Sequence, residues 1–135
     1  MKVIIAGSRK ITNINYLYKA LQASEFEVTE VVSGGAKGID AMGEKWAKLH
    51  EVPIKRFNAQ WTNLSHKDAK IKKRNDGTEY DLLAGFRRNQ AMADYADALL
   101  AIWDGKSGGT QDMINKAIKG NLKIYLYDLT EKGLL

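Results

Sequence analysis

The sequence predicts an α/β fold: a single Rossmann-like, doubly wound parallel sheet of about five strands, with a basic insertion after the third strand. Three observations predict it. Short apolar runs alternate with longer stretches that carry apolar residues at helical spacing. Three glycine-bearing segments, Ala6-Gly7-Ser8-Arg9, Ser33-Gly34-Gly35-Ala36-Lys37-Gly38 and Asp104-Gly105-Lys106-Ser107-Gly108-Gly109-Thr110, each fall where a strand hands over to a helix. The 135 residues are enough for one domain with one core, and neither an internal repeat nor a linker divides them.

Residues 3–6 are apolar and closed by Gly7-Ser8, the pattern of a buried first strand. Ile14, Leu17, Tyr18 and Leu21 then form an amphipathic helical stripe, with Thr12 or Asn13 as its cap. Glu30–Ser33 is the second strand. Ile39, Met42, Trp46 and Leu49 mark the second helix, and 52–57 the third strand, with Pro53 tolerable at its start. Residues 58–83 break the rhythm: they are polar and basic, contain the turn signal Asn75-Asp76-Gly77, and read as a long insertion, partly mobile or partly helical. A helix follows over 83–96 with small residues Ala91, Ala93 and Ala96, then the fourth strand Ala98–Trp103. A helix over 110–119 turns Met113, Ile114, Ala117 and Ile118 inward, Asn121 suits a turn, 123–127 is the fifth strand, and 131–135 is a short tail.

Composition excludes several classes of function. With no cysteine there is no disulfide, thiol nucleophile or thiolate metal site, and the isolated His50 and His66 do not make a histidine metal site. No metal and no cofactor is expected. No apolar run is long enough to cross a bilayer, and the short one at the N-terminus suits a strand better than a signal peptide, so no membrane partner is expected and the cytoplasm is the expected compartment. The net charge of +5 is mostly local: Lys67, Lys70, Lys72, Lys73 and Arg74 stand against Asp68 alone. One basic segment, rather than a protein-wide field, would meet a nucleic acid, and it equally reads as a solvated face.

In a parallel sheet all strand-to-helix turns lie on one edge, so the three glycine loops converge on one crevice. Glycine lets backbone N–H groups approach a ligand, and helix N-termini favour anions. The expected binding set is Gly7, Ser8 and Arg9; Gly34, Gly35, Ala36, Gly38 and Asp40; Arg88 and Asn89; and Asp104, Ser107, Gly108, Gly109 and Thr110. Each has a plainer reading too. The glycines can serve tight turns, Ser8 can cap and Arg9 be solvated. Asp40 is either a first-turn acid favoured by the helix dipole or a partner for a ribose hydroxyl. Trp103 reads as core more readily than as a stacking platform, and Trp61 either lies over the crevice as a lid or anchors its loop. The loops lack the further glycines of G-x-G-x-x-G and the Lys-Ser/Thr ending of a Walker A loop, which removes a specific claim for dinucleotide binding or ATP hydrolysis.

Taken together, Lys2-Val3-Ile4-Ile5-Ala6-Gly7-Ser8-Arg9, the segment from Ser33 to Asp40, Ala84-Gly85-Phe86-Arg87-Arg88-Asn89 and the segment from Trp103 to Thr110 resemble the SLOG superfamily of Smf/DprA- and LOG-like Rossmannoid domains. Within it the chain looks most like the small YspA/YpsA-related branch of bacteria and their phages. The resemblance implies a Rossmann-like fold, frequent homodimers, and binding of a nucleotide-like small molecule in a sensor, carrier or sequestering role. The helix 83–96, with its small residues, is the expected dimer face, and Ala93 the position to test. Two branches offer other functions. LOG enzymes are nucleotide N-glycosidases with a P-G-G-x-G-T-x-x-E motif, and aligning Gly109-Thr110 puts Met113 at the catalytic glutamate. A thioether cannot move a proton as a carboxylate does, so an enzyme here would need Asp104 or Asp112. DprA-like proteins bind single-stranded DNA, which makes nucleic acid a third possible partner, through residues 66–74 with Trp61 stacking.

Overall fold

A computed structural model of the chain describes residues 1–132. In chain order the elements are β1 (Lys2–Gly7), α1 (Ile14–Ser24), β2 (Glu30–Ser33), α2 (Ile39–Leu49), β3 (Ile54–Arg56), β4 (Ile71–Lys73), β5 (Glu79–Asp81), α3 (Ala84–Tyr95), β6 (Ala98–Trp103), α4 (Gly108–Lys119), β7 (Lys123–Asp128) and α5 (Leu129–Lys132). Five strands form one parallel sheet in the order β3-β2-β1-β6-β7. The chain winds outward from β1 to β3, then returns to the other side of β1, so the winding direction reverses between β1 and β6. Gly7 lies beside Ile102 in that pair.

The central strands are apolar along their length because both faces are covered. Val3, Ile5, Leu100 and Ile102 pack with α1 and α2 on one face. Ile4, Ala6, Leu99 and Ala101 pack with Met92, Ala93, Met113 and Ala117 of α3 and α4 on the other. This alternation within continuous apolar runs makes the sheet doubly wound. Ala93 is only 6% exposed in this core, so it serves the packing of α3 on its own sheet, and a charge there would attack the fold itself rather than a dimer face.

Several expectations change in detail. The α1 cap is Asn13, whose side chain accepts from the Asn15 N–H. The third strand is shorter than 52–57 because it is an edge. Pro53 lends only its carbonyl, to the Val31 N–H, and Phe57 N–H donates to Ser33 beyond the strand end. α4 begins at Gly108 rather than Thr110: the Ser107 hydroxyl accepts from the Thr110 N–H and pulls both glycines into the first turn. α5 was not expected; Leu129 plugs the α1/α2 side of the core at 2% exposure. Of the tail expected at 131–135, Glu131 and Lys132 close α5 and the last three residues lie outside the described residues.

The largest correction is the insertion, which is not helical in outline but holds an antiparallel hairpin, β4 with β5. The Asn75-Asp76-Gly77 signal marks its turn, with Gly77 at φ +87° and the Arg74 N–H donating to the Thr78 carbonyl. What docks the hairpin is one carboxylate. Asp81 is fully buried; its Oδ1 accepts from the Lys70 and Leu83 N–H groups at 3.0 Å each, and its Oδ2 pairs with Arg87. Trp61 supplies the apolar half, lying against Gly85, where an added Cβ would come within 2.8 Å of the indole. Trp61 is therefore the anchor of its loop.

Replacing Asp81 with Ala leaves two backbone donors and a guanidinium without their acceptor. Urea unfolding should show a loss of about 3 kcal/mol, with new trypsin cleavage at Lys70 to Arg74. A loss below about 1 kcal/mol with the hairpin still protected would contradict this account of how the insertion is held.

Candidate functional site

The C-terminal edge of the sheet is built from four loops, and hydrogen bonds link them in sequence. At the switch between β1 and β6, the Ser8 N–H donates to the Ile102 carbonyl at 3.2 Å, and the Ser8 hydroxyl donates to Asp104 Oδ2 at 3.1 Å. Ser8 is 2% exposed, so its hydroxyl is committed to the chain. Asp104 Oδ1 accepts from the Lys106 and Ser107 N–H groups. The Lys106 N–H, with the Ser107 N–H and the Ser8 hydroxyl, holds the Asp104 carboxyl below the usual carboxylate range against partial burial. Asp104 thus folds its loop, with Gly105 at φ +79° making the turn possible.

On the other side of β1, the loop from Gly34 to Gly38 folds back over the first loop. Gly38 sits at φ +74°, and an added Cβ would fall 2.6 Å from the Arg9 carbonyl oxygen. Asp40 is buried beneath this junction and accepts from the Ala36 N–H at 3.3 Å. Burial pushes its carboxyl up, against the Ala36 hydrogen bond and the charge of Arg88. This placement favours the helix-start reading over a ribose contact. Gly34 touches the same cluster: a Cβ there would lie 2.6 Å from Arg88 Nη1 and 2.9 Å from Asp40 Oδ2.

Arg88 and Asn89 close the circuit. Arg88 Nη1 donates to the Gly34 carbonyl, and its Nε donates to Asn89 Oδ1 at 3.0 Å. Asn89 Nδ2 donates to the Gly109 carbonyl at 3.2 Å and to Asp112 Oδ2 at 3.0 Å. Asn89 is committed to joining α3 with α4. Asp112 is committed too, since Lys116 Nζ donates to both of its oxygens at 2.6 and 2.7 Å. Burial pushes the Arg88 guanidinium below its ordinary value, and the Arg9 charge adds to this while Asp40 opposes it.

The expected binding set is therefore brought together on one edge, but its members divide by role. Ser8, Asp40, Asn89, Asp104 and the Ser107 hydroxyl build the edge. Arg9 is exposed, as are Gly108 and Gly109. At the α4 N-terminus the Thr110 N–H has its cap, while no partner within the described residues takes the Gly108 and Gly109 N–H groups. A Cβ at Gly108 or Gly109 would meet nothing within 4 Å, and neither residue has a positive φ. Met113, at the position of the LOG glutamate, is 1% exposed and faces the sheet, so that position cannot reach a ligand.

Two hollows flank the Gly34 to Gly38 loop. One of ≈ 440 Å³ lies along α2 and is lined by Gly35, Ala36, Lys45, Lys48 and Arg56 among others. Glu44 forms its floor. Burial pushes this carboxyl up, but hydrogen bonds from Arg56 and Ser33 win and hold it below its ordinary value. The other hollow, of ≈ 250 Å³, lies between the insertion and the head of α3. Reading the sequence missed Glu44, although its place four residues after Asp40 on the face of Ile39 and Ala47 marks an inward carboxylate. It also missed the polar side chains of the second hollow, which carry no pattern. Among the described residues no cluster of His, Asp and Glu is placed to hold a metal, and no helix is long and apolar enough to cross a membrane.

The fold has counterparts among solved structures. DNA processing protein A (DprA) from Streptococcus pneumoniae matches with a TM-score of 0.67 at 18% identity, over 93% of this chain and 49% of that one. A DNA processing protein A structure from Helicobacter pylori, described for its single-stranded DNA binding mode, matches with a TM-score of 0.65 at 19% identity, over 98% of this chain and 73% of that one. The chain thus spans about half the length of the pneumococcal protein. At these identities the likeness is one of fold. No curated protein matches the sequence. Residues 1–64, from β1 into the start of the insertion, match the family model described as YAcAr, the YspA, cpYpsA-related SLOG family.

Proposed function

We propose that the C-terminal edge binds a nucleotide or nucleotide-derived small molecule, with its phosphate at the α4 N-terminus and beside Arg9. The observation that carries this reading is the pair Gly108 and Gly109. Glycine in a helix costs up to about 1 kcal/mol relative to alanine. Here neither backbone angle nor neighbouring atoms require it. What the two glycines provide is open access to unpaired N–H groups at a helix N-terminus, at the reversal point of an open parallel sheet. Arg9 and Arg88 add a positive surplus that the buried Asp40 does not offset. A glycosidase reading finds less support, because Asp104 and Asp112 have both oxygens occupied within the chain. A sensing, carrying or sequestering role follows from binding without an available acid or nucleophile.

The double substitution Gly108→Ala and Gly109→Ala should raise stability by about 0.5–1 kcal/mol per site while abolishing binding of nucleoside monophosphates in calorimetric titration. Retained binding in the stabilised variant would remove the argument from these glycines.

Pairing of two chains belongs to this proposal, through the outward side of α3. Phe86 there is 40% exposed, two residues from Arg88. Light scattering at micromolar concentration should report a dimer that Phe86→Asp dissociates; a monomeric wild type with and without nucleotide would exclude it.

A second reading, single-stranded nucleic acid, is favoured by one feature, the hairpin. Lys70, Lys72, Lys73 and Arg74 are all exposed on it, and Arg74 lies over the Tyr80 ring. Neutralising the four should weaken oligonucleotide binding and flatten its salt dependence by a few units of slope. Absent or unaltered binding would leave the hairpin a solvated face.

A further inference from the structure

The smaller hollow has a wall whose hydrogen-bonding polarity is set in advance. Its polar lining is Asn58, Gln60, Asn63 and His66 from the insertion, with Arg87 and Arg88 from α3, and among the described residues it contains no carboxylate. Arg87 is occupied by the buried Asp81. Two backbone N–H groups decide which ends of the other side chains are free. The Ser65 N–H donates to Asn63 Oδ1 at 3.2 Å, and the Ser65 hydroxyl donates to the same oxygen at 2.8 Å. A backbone N–H can only donate, so this amide cannot be reversed, and its other end is Nδ2. That Nδ2 donates to Gln60 Oε1 at 3.2 Å, which leaves Nε2 as the free end of Gln60. Likewise the Asp68 N–H donates to His66 Nδ1 at 3.1 Å, so the neutral ring carries its proton on Nε2. Arg88, with Nε and Nη1 engaged, adds its remaining N–H groups. Asn58 has both amide ends without a partner among the described residues and can adapt to either sense.

We propose that this hollow is a base pocket that selects nucleobases with a carbonyl at the 6 position of a purine or the 4 position of a pyrimidine, of guanine or uracil type. With that position turned to this wall, adenine and cytosine would set an amine against donors, whereas guanine and uracil set a carbonyl. The inference rests on the nucleotide reading above and assigns the base end of the same ligand. Size and position agree with it. At ≈ 250 Å³ the hollow is smaller than the roughly 300–1,000 Å³ of pockets that take a whole drug-sized ligand, and suits one ring system. Arg88 belongs both to this hollow and to the loop junction at Gly34, so a base held here leaves its sugar and phosphate beside the glycine loops.

The test is calorimetric titration of GMP, UMP, AMP, CMP and ribose 5-phosphate into the wild type, N63D and Q60E. N63D keeps an acceptor for the Ser65 N–H but replaces Nδ2 with a second acceptor. Gln60 then turns its Nε2 inward and presents Oε1 to the pocket. Q60E puts an acceptor there directly, on an exposed residue that the fold does not need. The wild type should bind GMP and UMP about tenfold more tightly than AMP and CMP, the discrimination of one good donor–acceptor pair. Both variants should erase or invert that ratio, with the ribose 5-phosphate affinities of N63D and Q60E lowered alike by their added charge. Equal affinity for the four nucleotides, a preference for AMP and CMP, or a ratio unmoved in both variants overturns the pocket and leaves the phosphate site standing. Ribose 5-phosphate binding as tightly as every nucleotide does the same. Failure of all five ligands to bind overturns the nucleotide reading itself, and the pocket with it.

Discussion

Two adjacent side chains, Arg88 and Asn89, hold the working edge of this domain together. Parallel strands deliver their loops to one edge, but nothing in a parallel sheet fixes those loops relative to one another. Here the guanidinium of Arg88 takes the Gly34 carbonyl, the Asn89 amide takes the Gly109 carbonyl and Asp112, and the two side chains bond to each other. The loop after β2 and the start of α4 are thereby tied to a single turn of α3. Asn89 is 5% exposed, and each end of its amide has a partner within the chain, so the tie is rigid.

The electrostatics follow from that tie. Arg88 lies at the loop junction rather than in solvent, with Asp40 opposite it, and Asp40 is itself pushed toward its neutral form by burial. Arg9 adds a second cation nearby. The edge thus carries a positive surplus next to the Gly108 and Gly109 N–H groups, which have no partner among the described residues. In the proposed function, that combination is what draws the anionic end of the ligand to the edge. The carboxylates at the edge, Asp104 and Asp112, are already the acceptors that shape the loops.

Much of this was legible in the sequence, because the signals were local. Continuous apolar runs such as Val3 to Ala6 and Ala98 to Ile102 mark strands buried on both faces, and glycine at strand ends marks the turns. The convergence of the loops follows from topology alone. What was not legible depends on long-range partners. The β4–β5 hairpin has no hydrophobic face to give it a period of two; Asp81, the last residue of β5, and Trp61 dock it through partners distant in sequence. Ser8, Asn89 and Asp104 look alike as ligand groups or loop builders until the Ser8–Asp104 and Asn89–Asp112 bonds assign them to the chain. Ala93 looks alike as an interface or core residue until its burial against the sheet decides it. The polarity of the smaller hollow was beyond reach, since it is set by the Ser65 and Asp68 N–H groups and not by residue type.

The central claim is that the N–H groups of Gly108 and Gly109 receive the anionic end of a nucleotide. Backbone amide chemical shifts during titration with GMP read those groups directly. The largest changes should fall on Gly108, Gly109 and Arg9, with smaller ones at Gln60 and His66. Saturable binding whose shifts are confined to Lys70 through Arg74, with the two glycine amides unmoved, would contradict it.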